Sequence, residues 1–517
     1  MKFSLPPPKV RLVGAIKDPY NLSIATARTC YSSTGILSPE DVIKDEKAVR
    51  LRDKIAKSTL HAGHLTTRQH AHFVFALENV SRSLIWSFLH SHPFYNSEQV
   101  SQRYVKVKSD TTLIPAFEDA KAQKLYEETV RLQIDLYHQF IELLLEPASK
   151  EFYEIFPARG RKPNKWNSTI KKKCYEVARY ILPLGTYAYL YHTINALTLL
   201  RYARMAGHFD TPSEQKNMIA QMLDEVKRFD PDFEKEIPDT LPLEESIEYK
   251  IFKSSENNFK TRQINIDEFD KSLEGMSSKL IDYKINAEKT VTSAVNSTLG
   301  TRLTEDEAID LVLHPAKNLH LGDTLNVSSM SKLSRALFHV HYTFRKKISH
   351  SADSQDQRHR MTPASRPILE SQYCGKADYI TPKLIESSSE IEERYRTGME
   401  KIFQNINTLL NMNVPFEAAH YLIPNAFPVR FEESGDLLSF HHKWKLRTCY
   451  NAQEEIFFSA IDELKQIKDV HPRLAKHILA PCYLRKEALI KPFCPEGNRY
   501  CGIPVWNQKL EEYKRVI

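Results

Sequence analysis

The order of short motifs in the first half of this 517-residue chain returns in the second half. Glu176–Pro183 is EVARYILP and Glu417–Pro424 is EAAHYLIP, so a glutamate, an alanine, a tyrosine and a closing proline recur at the same spacing. Ser334–Leu337 (SRAL) likewise echoes Ser81–Leu84 (SRSL). Internal repetition constrains a fold strongly because both copies must adopt one architecture. We therefore expect a tandem of two related halves.

Local patterns suggest the elements of each half. Alternation over Phe73–Leu77 predicts a half-buried strand, and apolar residues at helical spacing predict a long helix over 122–146. Residues 175–205 are predicted to form a second helical block. The expected fold class is α+β, with two related halves, each a small antiparallel sheet wrapped by long helices.

Composition changes along the chain suggest where the halves meet. Residues 231–290 are rich in charge and contain proline, with helical spacing only in their later part. The predicted organisation is a first domain over 1–230, a linker with some helix over 231–290, and a second, divergent domain with a C-terminal tail over 291–517.

Overall composition bounds the function. Hydrophobic residues make up 41% and charged residues 26%, as in ordinary soluble proteins, and the net charge of +7 suits anionic nucleotide ligands. We expect no nucleic-acid partner, because basic patches interleaved with aromatic residues are missing. No apolar run approaches about 18 residues and the start lacks a secretory signal, so we predict no membrane partner and a cytoplasmic location.

The stretch from Asn79 to Tyr104 concentrates ligand-binding groups. Ser101 offers a hydroxyl, Arg103 a rigid fork of donors that fits a phosphate, and His90 and His92 two imidazoles. The combination indicates a site for a phosphorylated ligand. For the two histidines themselves we favour a structural interpretation over ligand binding.

Gln99–Tyr104 (QVSQRY) and Glu176–Pro183 resemble the flavin-dependent thymidylate synthases. Their signature is Arg-His-Arg, a short spacer and Ser-x-Arg-Tyr, preceded by a strand and His-x-Thr-x-x-Glu-His. His64–His70 (HLTTRQH) is similar to the last element. The resemblance implies substrate binding by Ser101, Gln102 and Arg103, and flavin binding by His64, Thr66 and Gln99.

The centre of the signature is the weak point of the resemblance. The first half has His90-Ser91-His92 where the family has Arg-His-Arg. In the second half, we align Thr343–Arg345 with that place and Ser354–His359 with the Ser-x-Arg-Tyr cluster. On this alignment both halves lack Arg-His-Arg. Arg358 is then either a phosphate-binding residue of the substrate site or part of an interdomain salt bridge.

The second matching block implies further roles. Arg179 corresponds to the family arginine that reaches the nucleotide phosphate of a neighbouring subunit, and Asn195 and Arg201 correspond to polar flavin contacts. The family arginine that contacts the uracil ring falls on Ala206 in the first half. In the second half it falls on Arg447, five residues before Ala-Gln-Glu-Glu-Ile.

The two halves thus retain complementary residues. Arg179 has His420 as its counterpart, whereas Arg447 has Ala206. We therefore predict a composite site between the two halves, with Arg447 as the catalytic residue, in a homodimer that rebuilds a tetramer-like core.

The implied reaction is reductive methylation of dUMP to dTMP, with FAD, with NADPH as reductant and with methylenetetrahydrofolate as carbon donor. No Gly-x-Gly-x-x-Gly or P-loop motif indicates a separate cofactor domain. The alternative is a catalytically inactive nucleotide-binding pseudoenzyme that keeps the scaffold.

The C-terminal tail holds possible metal ligands: His471, His477, Cys482, Cys494 and Cys501. Structural zinc sites usually pair such ligands at close spacing, and no Cys-x-x-Cys pair is present here. We therefore predict no metal site and expect buried free thiols in its place.

Overall fold

The computed structural model describes residues 1–254 and 258–513, and these combine helices with small antiparallel sheets. The predicted α+β class is confirmed. The strands are β1 (Phe3–Ser4), β2 (Lys9–Ala15), β3 (His72–Ser81), β4 (Asn96–Gln99), β5 (Ala116–Phe117), β6 (Tyr187–Asn195), β7 (Ser278–Tyr283), β8 (His341–Ser349) and β9 (Pro428–Asp436).

The helices of the first 254 residues are α1 (Pro19–Thr29), α2 (Glu46–His61), α3 (Arg82–Leu84), α4 (Ala120–Leu143), α5 (Leu145–Ile155), α6 (Asn167–Ala178), α7 (Ala196–Arg204), α8 (Pro212–Phe229) and α9 (Ile247–Phe252). The helices after residue 258 are α10 (Phe259–Ser272), α11 (Ala287–Leu299), α12 (Glu305–Leu313), α13 (His350–Asp356), α14 (Lys383–Glu386), α15 (Ser389–Asn411), α16 (Phe416–Ala419), α17 (Leu437–Arg447), α18 (Glu454–Val470), α19 (Pro472–Ala475) and α20 (Pro481–Glu487).

The chain divides into two compact units that are not continuous in sequence. Unit 1 comprises residues 1–133, 183–254 and 404–423, and unit 2 comprises residues 134–182, 258–403 and 424–513. Each unit therefore includes a segment from the other half of the chain, which is 404–423 in unit 1 and 134–182 in unit 2. The repeat-based boundaries at 230 and 290 stay a prediction, and the segment between them contains α10 and β7.

Unit 1 is built on an antiparallel sheet with strand order β2-β3-β6-β4. Phe73, Phe75 and Leu77 of β3 are fully buried on one face, as their alternation predicts. Phe233 packs edge-on against Phe73, with ring centroids 5.6 Å apart. Burying a side chain of this size stabilises the fold by about 1.5–3 kcal/mol, so this face anchors unit 1.

Unit 2 is built on a smaller antiparallel sheet with strand order β7-β8-β9. Tyr342 and Phe344 of β8 pack against Phe440 and Trp444 of α17, and all four rings are fully buried. The indole N–H of Trp444 donates to the buried Glu463 carboxylate at 2.6 Å. This aromatic core fixes α17 over the sheet.

The prediction of one helical block over 175–205 is wrong. Strand β6 separates α6 from α7, and every second residue from Ala188 to Ile194 is buried. Pro183 cannot donate a backbone hydrogen bond and so interrupts the helix before that strand. Asn195 consequently ends a strand instead of lying on an apolar helix.

Among the described residues, no helix has both the length and the apolar character needed to cross a bilayer.

Candidate active site

A rigid turn joins strand β8 to helix α13 in unit 2. Ser349 caps the helix by accepting a hydrogen bond from Ala352 N at 3.0 Å. The Glu455 carboxylate accepts from the Ser349 hydroxyl at 2.6 Å and also from its backbone N–H. The Tyr180 hydroxyl donates to the same carboxylate at 2.6 Å. Because this buried carboxylate has three donors, the start of α13 is firmly held.

Unit 1 contains the same arrangement after strand β3. Ser81 caps α3 by accepting from Leu84 N at 3.0 Å, and its hydroxyl donates to Glu214 at 2.6 Å. The Tyr421 hydroxyl donates to Glu214 at 2.9 Å. Ser81, Glu214 and Tyr421 of unit 1 thus correspond to Ser349, Glu455 and Tyr180 of unit 2. This correspondence sets the register between the two halves.

The register corrects the sequence alignment. His90-Ser91-His92 begins nine residues after Ser81, and Arg358-His359-Arg360 begins nine residues after Ser349. The second half therefore has an Arg-His-Arg, and the prediction that both halves lack it is wrong. Thr343–Arg345 instead lies within strand β8 and is part of the sheet. The tripeptide is readable in the sequence, but only the capping serine shows that it stands at the signature position.

Two further alignments are wrong for the same reason. Ser334–Leu337 lies in a 3-10 turn before β8 and not at the strand-to-helix turn. Ser354–His359 lies in and just after α13, whereas Gln99–Tyr104 follows the edge strand β4. Short motifs of serine, glutamine and arginine recur by chance, so without strand pairings their register was ambiguous.

Arg447, the predicted catalytic residue, ends α17 and contacts the Arg-His-Arg segment. Its Nε donates to His359 Nε2 at 2.8 Å, and its Nη2 donates to the Gln355 carbonyl at 3.1 Å. Burial, followed by the charges of Arg447 and Lys443, holds the pKa of His359 well below its usual range. His359 is therefore neutral, and its Nε2 accepts while the ring proton resides on Nδ1.

Ala206 occupies the place of Arg447 in unit 1. Asn195 caps α7 and Asp436 caps α17, and Ala206 and Arg447 each lie eleven residues after the capping residue. This register supports the alignment of Ala206 with Arg447.

A buried ionic network supports the site in unit 2. Lys346 Nζ lies 2.9 Å from Glu463 and 3.2 Å from Asp356, and Lys443 Nζ lies 2.8 Å from Asp356 and 2.6 Å from Glu433. Burial favours neutral groups, yet the two ammonium groups hold the pKa of Asp356 well below its ordinary value. Each carboxylate of the network lies against at least one ammonium group, which compensates its buried charge.

Several buried polar atoms close to this network have no hydrogen-bond partner among the described residues. They lie on α13, just after it, and on α17: Ser351 Oγ, Gln355 Nε2, Gln357 Oε1, His441 Nε2 and His442 Nδ1. The rings of His359 and His442 are 6.0 Å apart. Buried polar groups in native proteins are normally paired, so such a group of donors and acceptors is suited to a bound polar ligand.

Arg179, although it belongs to the first half of the sequence, lies in unit 2. Asn425 Nδ2 donates to the Arg179 carbonyl at 3.0 Å, and Ser351 N at the start of α13 donates to the Asn425 carbonyl at 2.9 Å. Arg447 bonds Gln355 near the end of the same helix. A seven-residue helix spans roughly 10 Å. Arg447 thus contacts the end of α13 directly, and the backbone of Arg179 is linked to the start of α13 through Asn425.

The counterpart of Arg179 in unit 1 is His420. His420 Nε2 is hydrogen-bonded to Ser83 Oγ at 2.8 Å, and both side chains are buried. The serine that corresponds to Ser83 in unit 2 is Ser351, whose hydroxyl has no partner among the described residues. The same serine position is therefore closed by a histidine in unit 1 and open in unit 2.

His90 and His92 pack among aromatic rings in unit 1. His90 is buried and stacks on Tyr95, with centroids 4.5 Å apart and planes 4° apart. His92 Nε2 is hydrogen-bonded to the Tyr202 hydroxyl at 2.8 Å. These contacts favour the structural interpretation of both histidines.

The predicted substrate-binding cluster lies in unit 1. Ser101 Oγ accepts from Arg103 N at 3.2 Å, and the Arg103 guanidinium lies 5.3 Å from the Tyr104 ring centroid. Gln102 is buried, and Gln99 accepts from Arg82 at 3.1 Å. The segment forms a tight turn that presents an arginine beside a hydroxyl.

The other predicted flavin-binding residues also lie in unit 1. His64 and Thr66 are exposed in the connection between α2 and β3. Asn195 caps α7 by accepting from Thr198 N at 2.9 Å, which gives it a structural role. Arg201 is exposed, with its guanidinium 4.6 Å from an aromatic ring centroid. Arg358 of unit 2 is likewise exposed, just after α13.

Comparison with known proteins identifies the family. The model of the family described as thymidylate synthase complementing protein matches residues 11–232 and 279–473. A flavin-dependent thymidylate synthase from Clostridium tetani is 28% identical over 225 residues, which cover 43% of this chain and 84% of the relative. One from Saccharolobus solfataricus is 31% identical over 156 residues, which cover 29% of this chain and 58% of the relative.

Among solved structures, the UMP/dUMP methylase PolB from Streptomyces cacaoi, bound with 5-Br dUMP, is 16% identical with a TM-score of 0.31. The match covers 44% of this chain and 93% of that one. The family match spans most of the chain, so the protein belongs to the thymidylate synthase complementing protein family. It is a divergent tandem member, because the family pattern occurs in two successive segments.

Proposed function

We propose that this protein is a flavin-dependent thymidylate synthase that converts dUMP into dTMP by reductive methylation. Methylenetetrahydrofolate would supply the carbon, FAD the flavin and NADPH the reducing equivalents. Family membership supports the class of reaction. The observation that carries the proposal is the bond from Arg447 to His359 within Arg358-His359-Arg360, in the unit that also holds Arg179.

Arg447 has the chemistry that ring activation needs. C5 of uracil becomes nucleophilic when positive charge stands where the ring develops negative charge. A guanidinium stays protonated and can donate two hydrogen bonds to a carbonyl and the adjacent nitrogen. Its partner His359 is a neutral acceptor, so the bond orients the guanidinium and does not neutralise it. A carboxylate in that place would cancel the charge.

The residues around α13 fit a flavin nucleotide. Arg360 follows His359 and would bind the anionic part of FAD, while the buried donors and acceptors on α13 and α17 suit its polar ring edge. FAD supplies the two-electron chemistry when bound. His64, Thr66, Gln99, Asn195 and Arg201 remain predicted flavin contacts.

Arg179 and Ser351 are our candidates for the nucleotide phosphate in unit 2. Arg179 is buried and corresponds to His420, which contacts Ser83 in unit 1, while the Ser351 hydroxyl that corresponds to Ser83 has no partner among the described residues. A guanidinium and a hydroxyl would offer charge-assisted and neutral hydrogen bonds to a phosphate. In unit 1 the histidine that replaces Arg179 already occupies the equivalent serine. We infer one live site per chain, composed of Arg179 from the first half and Arg447 from the second.

We also propose that the substrate is bound by Ser101, Gln102, Arg103 and Arg358. The two halves are proposed to be related copies that assemble as a homodimer in the cytoplasm.

An absorbance titration tests the function. We expect the purified protein to bind FAD and its flavin spectrum to shift when dUMP is added. Arg447→Ala should abolish the dUMP-dependent shift, whereas Arg302→Ala, at an exposed arginine of unit 2, should leave it intact. Calorimetry with dUMP alone then separates two failures. A protein that binds dUMP but no FAD would be the nucleotide-binding pseudoenzyme, and one that binds neither would contradict both functions.

A further inference from the structure

Four cysteines of unit 2 surround one small cavity. Cys449, Cys482, Cys494 and Cys501 all line it, and about 20 Å³ is open to the centre of a water-sized particle. A cavity needs about 10–15 Å³ on this measure to hold one water molecule. The four residues are half-buried, and all seven cysteines of the chain are free thiols. The space between the thiols therefore has the size of a single small ion.

The grouping differs from the one that the sequence suggested. Cys449 lies 33 residues before Cys482, outside the tail. His471 Nδ1 is hydrogen-bonded to the Tyr342 hydroxyl at 3.0 Å, and the centroid of the His477 ring lies 4.3 Å from that of His314. Neither histidine lines the cavity, where Glu496 accompanies the four cysteines.

Four half-buried sulfurs around one space are either neutral thiols or the ligands of a cation that compensates their charge.

We propose that Cys449, Cys482, Cys494 and Cys501 bind one Zn²⁺ as four thiolate ligands. Four Zn–S bonds form and four S–H protons are released, with no change in oxidation state. Zinc takes four sulfurs in a tetrahedron, at about 2.3 Å each. No group of three or more potential ligands in the described residues already stands around a metal position. The thiols must therefore rotate into the cavity that they line.

Charged side chains of both signs lie around the cavity. Arg485 lies near Cys494, and Lys173 and Arg159 lie near Cys501, whereas Glu496 itself lines the cavity. Zn²⁺ with four thiolates carries a net charge of −2, which the three cations would partly offset.

The zinc site would stabilise the C-terminal segment of the chain. Secondary structure in residues 488–513 is confined to short 3-10 turns, which bury few side chains. A metal that joins this segment to Cys449 closes a long loop and contributes its binding free energy to folding. Cys449 follows Arg447 by two residues, so the zinc site would also hold the end of α17. The inference stands on folding and metal content and does not depend on the proposed function.

Metal analysis of the purified full-length protein is the test. We expect about one zinc per chain in the parent protein and in Cys374→Ser, a matched control because Cys374 is half-buried in the same unit but hydrogen-bonds Gln263. Cys482→Ser and Cys494→Ser should lose the zinc and unfold at a lower temperature. Zinc content unchanged in these variants would overturn the assignment.

A second measurement covers the case in which the cysteine variants fail to fold. The parent protein is stripped with a chelator and titrated with Co²⁺, which should give the charge-transfer and d–d bands of a tetrahedral thiolate site and be displaced by Zn²⁺. Three results would overturn the proposal: a metal-free protein that takes up neither ion, iron in place of zinc, or disulfides among the four cysteines in the non-reduced protein.

Discussion

The Nε–H of Arg447 donates a hydrogen bond to Nε2 of His359 across 2.8 Å, joining residues 88 positions apart in sequence. Both residues belong to the second half, and each matches a part of the family signature. The bond therefore couples the candidate ring-activating arginine to the middle of Arg-His-Arg.

The acceptor role of His359 can be tested directly. His359→Phe removes the acceptor, so the Arg447 guanidinium should lose its orientation and kcat should fall about 10–100-fold. His359→Gln can still accept a hydrogen bond and should retain part of the activity. Steady-state kinetics with dUMP would measure both variants. Equal activity of His359→Phe and the parent protein would rule out a positioning role.

The protonation state of His359 gives a second prediction. Because burial and neighbouring cations hold its pKa well below the usual value, the ring should remain neutral at pH values around the ordinary histidine pKa of about 6.5. Carbon-detected NMR of labelled histidine would follow it, with assignment from the His359→Gln spectrum. Titration of His359 near pH 6.5 would contradict the neutral acceptor.

Arg179→His copies into unit 2 the residue that unit 1 has at His420. Losing a charge-assisted hydrogen bond costs about 1.5–3 kcal/mol, so KM for dUMP should rise roughly 10–100-fold with a smaller change in kcat. His420→Gln in unit 1 is the control and should leave KM unchanged. An unaltered KM in Arg179→His would exclude Arg179 from phosphate binding.

Lys346→Met removes one cation from the buried ionic network. Asp356 and Glu433 would then keep Lys443, whereas Glu463 would lose its ion-pair partner. Leaving a buried charge uncompensated costs about 3–5 kcal/mol of unfolding free energy. Lys347→Met is the adjacent control. Its ammonium lies 2.7 Å from Asp270 but is partly exposed, so the loss should be below about 1 kcal/mol. Denaturant unfolding would compare them, and similar losses would contradict the network's role.

Glu214 should make stability depend on pH in the sense opposite to a salt-bridged carboxylate. Burial raises its pKa to about 7 from the ordinary 4.5, despite hydrogen bonds from Ser81 and Tyr421. The folded state then binds the proton more tightly than the unfolded state, so stability falls as pH rises from about 4.5 to 7, by roughly 3 kcal/mol. Glu214→Gln should remove this decline. Identical pH profiles of unfolding in variant and parent would contradict the prediction.

Part of the site could be predicted because it rests on side-chain identity. Arg179, Arg447 and the Ser101–Arg103 cluster stand in motifs whose order is legible along the chain. The sequence also shows that His420 and Ala206 stand where the other half has Arg179 and Arg447. Strand β3 and helix α4 follow from local periodicity, which one buried face imposes on the sequence.

Other features required the folded chain. The sequence predicts helix over strand β6 because the apolar content of this segment suits either element. Only the pairing of β6 with β3 distinguishes strand from helix. The Arg-His-Arg of the second half is present in the sequence, but the sequence does not show which segment of the first half it corresponds to. The hydrogen bond from Ser349 to Glu455 establishes that β8 corresponds to β3. Cys449 joined the other cysteines only through the packing of the tail.

The sequence by itself determined the family and the chemical types of the candidate residues and predicted the tandem organisation, since these depend on which side chains occur and in what order. The tertiary structure alone decided that residues 134–182 join unit 2, which places Arg179 and Arg447 in the same unit. The physical reason is that such neighbours are chosen by hydrogen bonds and burial between segments far apart in the chain. Local periodicity carries no record of those contacts.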